Sequence, residues 1–413
     1  MSLLLAEATA NPALGVTIFA LGGLAGATFY LPFKKVKQWA WESYWLIYAV
    51  AGLVVVPGVL ALATSPNAVA VLRNTPGKEL LYCYLCGAMW GIGGMTWGLM
   101  IRYLGVGLGL AIGGGLCSAA GTLVPPILKG AIGELYDTPA AQLSLVGVAV
   151  SLLGIVLVGM AGMSKEGELP EEEKKKAVAE YDFKKGILVA IFSGLMSSAM
   201  SFGLQGGVVA EMKARYGSET RVENGDAATP PKSLAGVSGL HYEQDKKTWF
   251  VPAAAAQEQL TTATWQGIPV LVVVLLGGFT VNGLLCLFLN FKNGTFGDYA
   301  GSQAPLLTNL TFAALAGTIW CCQFIAFKTG GAAMGPLDYI GWAVLMAAAI
   351  LFSSLLGLLL GEWKGTSNRT RSLLLLGLLL LFASAAIAGY SGRLRKEQQE
   401  PAALTTLLQK LPA

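Results

Sequence analysis

Residues 141–163 read AQLSLVGVAVSLLGIVLVGMAGM, without one charged side chain. At 1.5 Å per residue, a helix of this length spans roughly 35 Å, which is enough to cross the hydrocarbon core of a bilayer. A helix also satisfies its own backbone hydrogen bonds where no water is present. The stretch therefore predicts a transmembrane helix.

Nine further apolar stretches have a similar length, and short polar joints connect most of them. The ten predicted helices span 12–33, 41–63, 79–104, 106–128, 141–163, 184–207, 265–291, 305–328, 332–361 and 372–392. We therefore predict an all-α polytopic membrane protein whose first partner is the lipid bilayer. Its function must depend on the few polar groups inside the membrane.

The composition excludes several other classes of protein. Charged residues make up 13% of the chain, whereas a soluble domain is about a quarter charged. The net charge of +4 is small and spread over the joints, so nothing indicates a nucleic-acid partner. The only histidine is His241, and the C-x-x-C pair Cys83 and Cys86 has no second pair to complete a zinc site. We predict no metal and no cofactor.

The predicted helices form two groups of five. Residues 164–183 contain the run Glu171–Lys176 and predict a solvated linker between residues 12–163 and 184–392. Because each group has an odd number of helices, the two groups run in opposite directions, as in the inverted repeats of many secondary transporters. An insertion at 208–264 is either a disordered loop or a small extramembrane cap, and residues 393–413 form a C-terminal tail.

Basic residues predict the orientation. The joints with most Lys and Arg belong on the cytoplasmic side, which places both termini outside. These joints contain Lys34, Lys35 and Lys37, then Arg102, the lysines of 164–185, and Lys364, Arg369 and Arg371.

A weak internal match supports the repeat. Residues 87–90 read GAMW in the third predicted helix, and residues 316–320 read AGTIW in the eighth. Chance similarity between glycine-rich helices is the alternative explanation.

Asp338 is the first candidate for proton exchange. If the ninth helix begins just after Gly331, Asp338 lies about two turns into the membrane, roughly 10 Å deep. A carboxylate is costly there unless it is paired, hydrated or protonated, and burial of a carboxyl group raises its pKa towards neutrality. Alternatively, Pro336 starts the helix and Asp338 caps it at the interface.

Three other charged positions have two interpretations each. Glu42 opens the second predicted helix and is the second proton candidate, but an acid in a first turn also stabilises the helix dipole. Arg102 and Lys328 end the third and eighth predicted helices, where cations favour the dipole as well. A gating role is the functional alternative for both cations.

Aromatic and amide side chains fall at helical spacings typical of a polyol site. Trp90 and Trp97 are seven residues apart and are predicted to share a face, Trp320 and Gln323 are three apart, and Asp338 and Trp342 are four apart. Broad aromatic rings cover the C–H faces of a polyol, while an amide and an acid bind its hydroxyls. The alternative is that the tryptophans pack the core or anchor the interface.

Several of these residues belong to motifs that resemble the L-rhamnose–proton symporter family. The similar stretches are Phe29–Glu42 (FYLPFKKVKQWAWE), Gly87–Gly93, Met100–Gly105, Asp338–Ile340 with Trp342, and Glu362–Trp363. The resemblance covers nearly all ten predicted helices but not the insertion. It implies membership of the drug/metabolite transporter superfamily, a five-plus-five inverted repeat in the inner membrane, and import of a 6-deoxyhexose with a proton.

The resemblance also implies functional positions. The matching residues are Lys34, Lys35, Trp39, Trp41, Glu42, Trp90, Arg102, Trp320, Gln323, Asp338, Tyr339 and Trp342. The chain departs from the family pattern at Gly94 and Gln205, where the family has asparagine, and at Leu337, where it has a polar residue. The sugar can therefore differ from that of the family.

The sequence predicts a proton-coupled sugar importer that works by alternating access and is not an enzyme. Asp338 and then Glu42 would carry the proton, and the sugar would bind among Trp90, Trp97, Trp320, Gln323, Tyr339, Trp342 and Gln205. Lys34, Lys35, Arg102 and Lys328 would serve the gates. The alternatives are an exporter or exchanger of another small metabolite, a non-transporting sugar sensor and an intramembrane enzyme.

Overall fold

A computed structural model of the chain describes residues 11–128, 130, 133–168, 182–217, 221–224, 240–243, 248–251, 260–300, 304–361 and 363–409. Its α-helices are α1 Pro12–Thr28, α2 Trp41–Thr64, α3 Ala68–Asn74, α4 Gly77–Gly109, α5 Gly115–Leu128, α6 Pro139–Glu168, α7 Phe183–Gln205, α8 Val208–Tyr216, α9 Ile268–Asn293, α10 Leu306–Met334, α11 Gly341–Leu359 and α12 Asn368–Gln409. Short 3₁₀ helices occur at Leu31–Lys35, Gly133–Leu135, Thr295–Ala300 and Gly335–Ile340.

Three strands in the insertion depart from the predicted all-α fold. They are β1 Arg221–Asn224, β2 His241–Glu243 and β3 Thr248–Val251, and they form one antiparallel sheet in the order β1-β3-β2. Tyr242 pairs with Trp249 across β2 and β3, with their ring centroids 5.3 Å apart.

Nine helices of the described residues are long and apolar enough to cross a membrane. The 33-residue α4 is not one of the nine, because its Tyr, Trp and Gly residues lower its hydropathy. Only 28–56% of each span is buried inside the protein. The outward side chains are large and apolar, such as Phe291, Leu307 and Leu359, whereas Asn290 and Asn309 are fully buried. This inside-out distribution is that of a multi-pass membrane protein, as predicted.

Most helix ends lie within about five residues of the predicted ones. At the C-terminus α12 continues to Gln409 instead of ending at 392, so residues 393–409 of the predicted tail are helical.

Three other differences affect the candidate site or the insertion. The first is α10, which continues to Met334 instead of ending at 328, because Gly330 packs against the ring of Phe19 and does not break the helix. Gly335, at φ +60°, ends α10. Consequently Asp338 lies in the 3₁₀ turn before α11 and is exposed. The predicted depth of two turns for Asp338 is wrong.

The second place is the joint predicted at residue 105, which is a tight helical turn without a loop. A π-helical segment, Leu110–Gly114, joins α4 to α5. The chain nevertheless reverses its direction here. The evidence is that an added Cβ on Gly113 would lie only 2.6 Å from Sδ of Met100. A straight helix would separate these residues by roughly 20 Å.

The third place is the start of the insertion, where α8 begins at Val208. Gly206 and Gly207 separate α8 from α7, and Gly207 has φ +70°. Most described side chains of α8 are buried, and α8 packs on α9. Residues 208–216 therefore belong to the body of the protein and not to an extramembrane cap. The run Glu171–Lys176 of the predicted linker lies outside the described residues.

The helices of the two predicted halves interleave. Helix α1 packs on α10 and α11, and α7 packs on α4 and α5. Helix α9 contacts α4, α2 contacts α10, and α6 pairs with α12 at the edge of the bundle.

Two of these crossings bring backbones into contact. An added Cβ on Gly87 of α4 would lie 1.8 Å from the carbonyl oxygen of Val274 in α9. An added Cβ on Gly317 of α10 would lie 2.3 Å from the carbonyl oxygen of Tyr48 in α2. Small residues allow such close approach between transmembrane helices.

Polar contacts hold the connection between α1 and α2, which we name the lysine-side junction (residues 31–43). The side chain of Asn309 accepts from the amide of Lys37 at 3.0 Å and donates to its carbonyl at 2.8 Å. The amide of Ala40 donates to Asp298 at 2.9 Å, and Ser43 donates to Asn290 at 3.1 Å. This junction therefore docks on the connection between α9 and α10.

The connection between α7 and α9 docks in the same manner at the other end of the bundle. We name its body-packed part the opposite-side junction (residues 206–217 and 260–267). The amide of Gly207 donates to Glu79 at 2.6 Å, Asn67 donates to the carbonyl of Lys213 at 3.3 Å, and Thr261 donates to the carbonyl of Thr64 at 2.7 Å. These partners belong to the connection between α2 and α4.

The α4–α9 crossing predicts a sharp difference between two glycines of one helix. Gly87→Ala should destabilise the protein by about 1–3 kcal/mol, because the added methyl group pushes α4 and α9 apart. Gly94→Ala is the matched control, since an added Cβ there meets nothing within 4 Å. Thermal unfolding in detergent measures both, and equal melting temperatures for the two variants would contradict the close crossing.

Candidate functional site

Aromatic rings from three helices meet at the centre of the bundle. The ring centroids of Trp90 in α4 and Trp320 in α10 are 4.9 Å apart, and Trp320 lies 4.4 Å from Phe324. Trp342 of α11 lies 6.5 Å from Phe324. The structure thus brings three of the four predicted tryptophans together, and we name Trp90, Trp320, Phe324 and Trp342 the aromatic centre.

The two close crossings position the first two of these rings. Trp90 follows Gly87 by three residues, and Trp320 follows Gly317 by three residues. Residues three apart lie on neighbouring positions of one helix face. Each tryptophan therefore lies next to a backbone contact that fixes the distance between its own helix and the helix that it crosses.

An aromatic column continues from the centre to the lysine side. Tyr48 lies 6.0 Å from Trp320, Trp45 lies 4.6 Å from Tyr48, and Trp41 stacks on Trp45 at 5.2 Å. The indole N–H of Trp45 donates to Asn282 of α9 at 3.1 Å. The exposed end of this column is Trp41, which is 40% exposed.

Polar groups surround Trp342. Its indole N–H donates to the carbonyl of Cys117 at 3.1 Å. The buried Gln205 donates to Ser201 at 2.7 Å and to the carbonyl of Gly121 at 3.4 Å. The predicted residues Trp342 and Gln205 therefore both donate to backbone carbonyl groups of α5.

Tyr339 lies in the 3₁₀ turn that precedes α11. It is buried, and its hydroxyl lies 2.6 Å from the hydroxyl of Ser144 in α6. Its neighbour Asp338 is exposed, so Asp338 and Trp342 do not share a face as predicted. The intervening 3₁₀ turn breaks the helical spacing on which that prediction depended.

Two charged side chains are buried together beside this centre. Lys328 of α10 forms an ion pair with Glu211 of α8, and the side chains are 11% and 5% exposed. Lys328 also donates to the carbonyl of Leu204 at 2.7 Å. Lys328 was predicted as a gating residue, whereas Glu211 was not predicted.

Glu42 is buried in the lysine-side junction. Its Oε1 accepts from Asn293 at 2.8 Å and from Thr295 at 3.1 Å, and its exposed fraction is 6%. Tyr299 donates to the adjacent carbonyl of Ser43 at 3.1 Å, and burial raises the pKa of the Tyr299 phenol, so that it remains a donor. Glu42 therefore lies at the contact between the two predicted halves.

Two residues predicted for the sugar site face elsewhere. Trp97 packs with Met100 and Leu104, and its indole N–H donates to Ser197 of α7 at 2.7 Å. Trp97 lies two turns from Trp90 along α4, but Trp90 meets α10 at one height and Trp97 meets α7 at the other, so Trp97 lies away from the aromatic centre. The amide oxygen of Gln323 lies 1.9 Å from where a Cβ on Gly26 would be, so Gln323 faces α1.

The other predicted gating residues lie on the surface of the lysine side. Lys34 and Lys35 are exposed in the 3₁₀ helix Leu31–Lys35, and Arg102 is exposed near the turn that joins α4 to α5. Among the described residues, no group of three or more His, Cys, Asp or Glu side chains could hold a metal ion.

Three residues of the site were not predicted: Glu211, Asn282 and Ser201. Asn282 offers a signal, since it is polar within an otherwise apolar span. Glu211 offers none, because an acid in a long polar stretch has the pattern of a surface loop.

A helical membrane bundle with aromatic, amide and ionic groups at its centre is the architecture of a solute transporter. Comparison with known proteins gives the same class. The family model for the L-rhamnose-proton symport protein matches residues 9–220 and 237–392. The chain belongs to this family, which confirms the resemblance and makes it a transporter and not an enzyme.

Curated relatives match along almost their whole length. The L-rhamnose-proton symporter of Yersinia pestis (strain Pestoides F) is 30% identical over 380 residues, which cover 91% of this chain and 97% of the relative. The L-rhamnose-proton symporter of Cronobacter sakazakii (strain ATCC BAA-894) is also 30% identical over 380 residues, covering 91% and 96%.

The surroundings of Glu42 predict different effects of two substitutions. Glu42→Gln should leave stability nearly unchanged, because the amide oxygen of glutamine accepts from the same two donors. Glu42→Ala should cost about 1–3 kcal/mol, because Asn293 and Thr295 lose their acceptor in a buried site. Melting temperatures in detergent measure both variants. A Glu42→Gln variant as unstable as Glu42→Ala would show that the charge, and not the acceptor, holds the junction.

Proposed function

We propose that this protein imports L-rhamnose or a related 6-deoxyhexose together with a proton, across the bacterial inner membrane. The family model and the names of the relatives support sugar–proton symport. The observation that carries the proposal is the aromatic centre, where Trp90 and Trp320 meet beside buried amide and ionic groups. Indole faces suit the C–H surface of a deoxy sugar, and the polar groups suit its hydroxyls.

The architecture that we propose has ten spans in two inverted repeats, with α4 as the tenth span. The helix contacts support it, because the most extensive contacts of the two innermost helices, α4 and α10, with the other half come in matched pairs. Helix α1 on α10 matches α7 on α4, and α2 on α10 matches α9 on α4. The Gly87–Trp90 and Gly317–Trp320 pairs take equivalent places in this scheme, as do the two docked junctions.

The proposed mechanism is alternating access. At 4.9 Å between centroids, Trp90 and Trp320 touch each other. A sugar between two rings needs roughly 7–8 Å, since carbon atoms approach to 3.5–4.0 Å on each side. The rings must therefore separate to admit the sugar, and either the lysine-side or the opposite-side junction must release.

Asp338 and Glu42 are the proton candidates from the sequence. Glu42 is buried at a docked junction, so a change in its protonation would act on the contact between the halves. Asp338 is exposed at the other end of the bundle, where a change in charge would cost little. We therefore place Glu42 before Asp338, which reverses the order expected from the sequence.

The direct test is a transport measurement on purified protein in liposomes. Adding L-rhamnose outside should raise the external pH, because each sugar takes a proton inward. If another sugar gives this response and rhamnose does not, the mechanism stands and the substrate is that sugar. The absence of a pH change with every sugar of a panel, or a proton flux in the opposite direction, would contradict import.

The exposed acid Asp338 should be dispensable in this assay. Asp338→Asn should keep sugar-dependent alkalinisation, because an exposed carboxylate is not needed to stabilise a buried state. Loss of the pH signal in Asp338→Asn, with L-rhamnose exchange intact, would place the proton on Asp338 after all.

The structure also separates two tryptophans that the sequence treats alike. Trp320→Ala should weaken L-rhamnose uptake at least about tenfold in KM, which corresponds to ~1.4 kcal/mol. Trp97→Ala should change KM less, because Trp97 packs on α7 away from the aromatic centre. A larger effect for Trp97→Ala would contradict the assignment of the sugar site.

A further inference from the structure

The ion pair between Lys328 and Glu211 places two charges inside the bundle, where charge is costly. Replacing a buried ion pair by well-packed apolar residues is often neutral or stabilising, and charges inside a membrane protein are expensive. Both side chains are nearly inaccessible to solvent. A buried charged pair in a transporter therefore indicates a function in the transport cycle.

The position of the pair connects it to the sugar site. Lys328 lies one helical turn from Phe324 of the aromatic centre, on the same face of α10. Its second acceptor is the carbonyl of Leu204, the residue before Gln205. The Lys328 ammonium group is thus held between Glu211 and the wall of the proposed sugar site.

Gly267 lies directly against the pair. An added Cβ on Gly267 would lie 2.2 Å from Cε of Lys328 and 3.4 Å from Oε1 of Glu211. Gly207, at the start of α8, donates to Glu79 of α4. The pair therefore lies within the opposite-side junction, whose release opens one end of the protein.

Other titratable and charged groups face this region from each neighbouring element. Cys83 of α4 lies within electrostatic range of Glu79 and of both members of the pair, and Arg73 of α3 is exposed. On α8 itself, Lys213 donates to the carbonyl of Asn74, and Arg215 is buried. Of the two acids here, Glu211 is the more deeply buried and is the one that contacts a cation on α10.

We propose that Glu211, and neither Glu42 nor Asp338, takes up the transported proton and that its neutralisation frees Lys328 to bind the sugar. This inference rests on the proposed sugar–proton symport. A proton on the carboxylate removes its charge and weakens the ion pair. The ammonium group of Lys328 then needs new acceptors, and the hydroxyls of a sugar at the aromatic centre supply them.

This arrangement makes coupling obligatory. A proton without a sugar leaves a buried ammonium group short of acceptors, and a sugar without a proton competes with a charged carboxylate for Lys328. Both states are costly, since an unpaired buried charge destabilises a protein strongly. Every buried charge has a partner in only two states: the intact ion pair without sugar or proton, and the protein that carries both. Only these two states therefore change between the outward-open and inward-open conformations.

The test uses full-length protein in liposomes and two measurements on each variant. The first is the external pH change on adding L-rhamnose, and the second is exchange of labelled L-rhamnose at equal pH on both sides, which needs no net proton movement. Glu211→Gln should abolish the pH change and keep exchange. Asp137→Asn, at an exposed acid between α5 and α6, is the control for removal of one carboxylate and should keep both.

The outcomes separate this inference from the proposed function. If wild-type protein gives no pH change with any sugar, symport itself fails. If wild type responds and Glu211→Gln responds equally, or if a stably folded Glu211→Gln loses exchange as well, the inference is overturned. Should Glu211→Gln fold poorly, the double variant Glu211→Gln/Lys328→Gln removes both charges, and a sugar-dependent pH change in that variant would also overturn the inference.

Discussion

Two helix crossings with backbone-to-backbone contact organise the centre of this protein. At Gly87 and Gly317, no side chain separates the crossing helices, and each crossing places a tryptophan three residues further on. The meeting of Trp90 and Trp320 follows from this spacing. The same contacts stiffen the core, so motion is expected at the ends of the bundle, where the contacts are polar and exchange with water at little cost.

The polar contacts at the two ends have a common design. Each junction donates and accepts hydrogen bonds at the connection that follows the second transmembrane helix of the other half. Hydrogen bonds of this kind are worth about 1 kcal/mol each in net terms, which is strong enough in a group to close one end and weak enough to release. With both ends docked, the tryptophans touch and the centre is closed. In the proposed mechanism, sugar binding separates the rings and is therefore linked to the release of a junction.

Much of this fold can be predicted from the sequence, because a bilayer leaves few options to a long uncharged stretch. Most of the spans, the family and the meeting of Trp90, Trp320 and Trp342 can be predicted from apolar length and local motifs. The depth of Asp338 cannot be predicted in this way. Gly330 and Gly331 have the pattern of a helix end, but Gly330 packs on Phe19 and the helix continues past it. The partner of Lys328 cannot be predicted either, since Glu211 lies in a polar stretch of the sequence and only the tertiary fold brings α8 against the bundle.

The central claim is that the sugar binds between the two indole rings that meet at the centre of the bundle. A cryo-electron microscopy structure with L-rhamnose bound tests it most directly. The account predicts density for the sugar ring between Trp90 and Trp320, with the ring centroids well beyond their present 4.9 Å. Sugar bound elsewhere, with the two indoles still in contact, would contradict it.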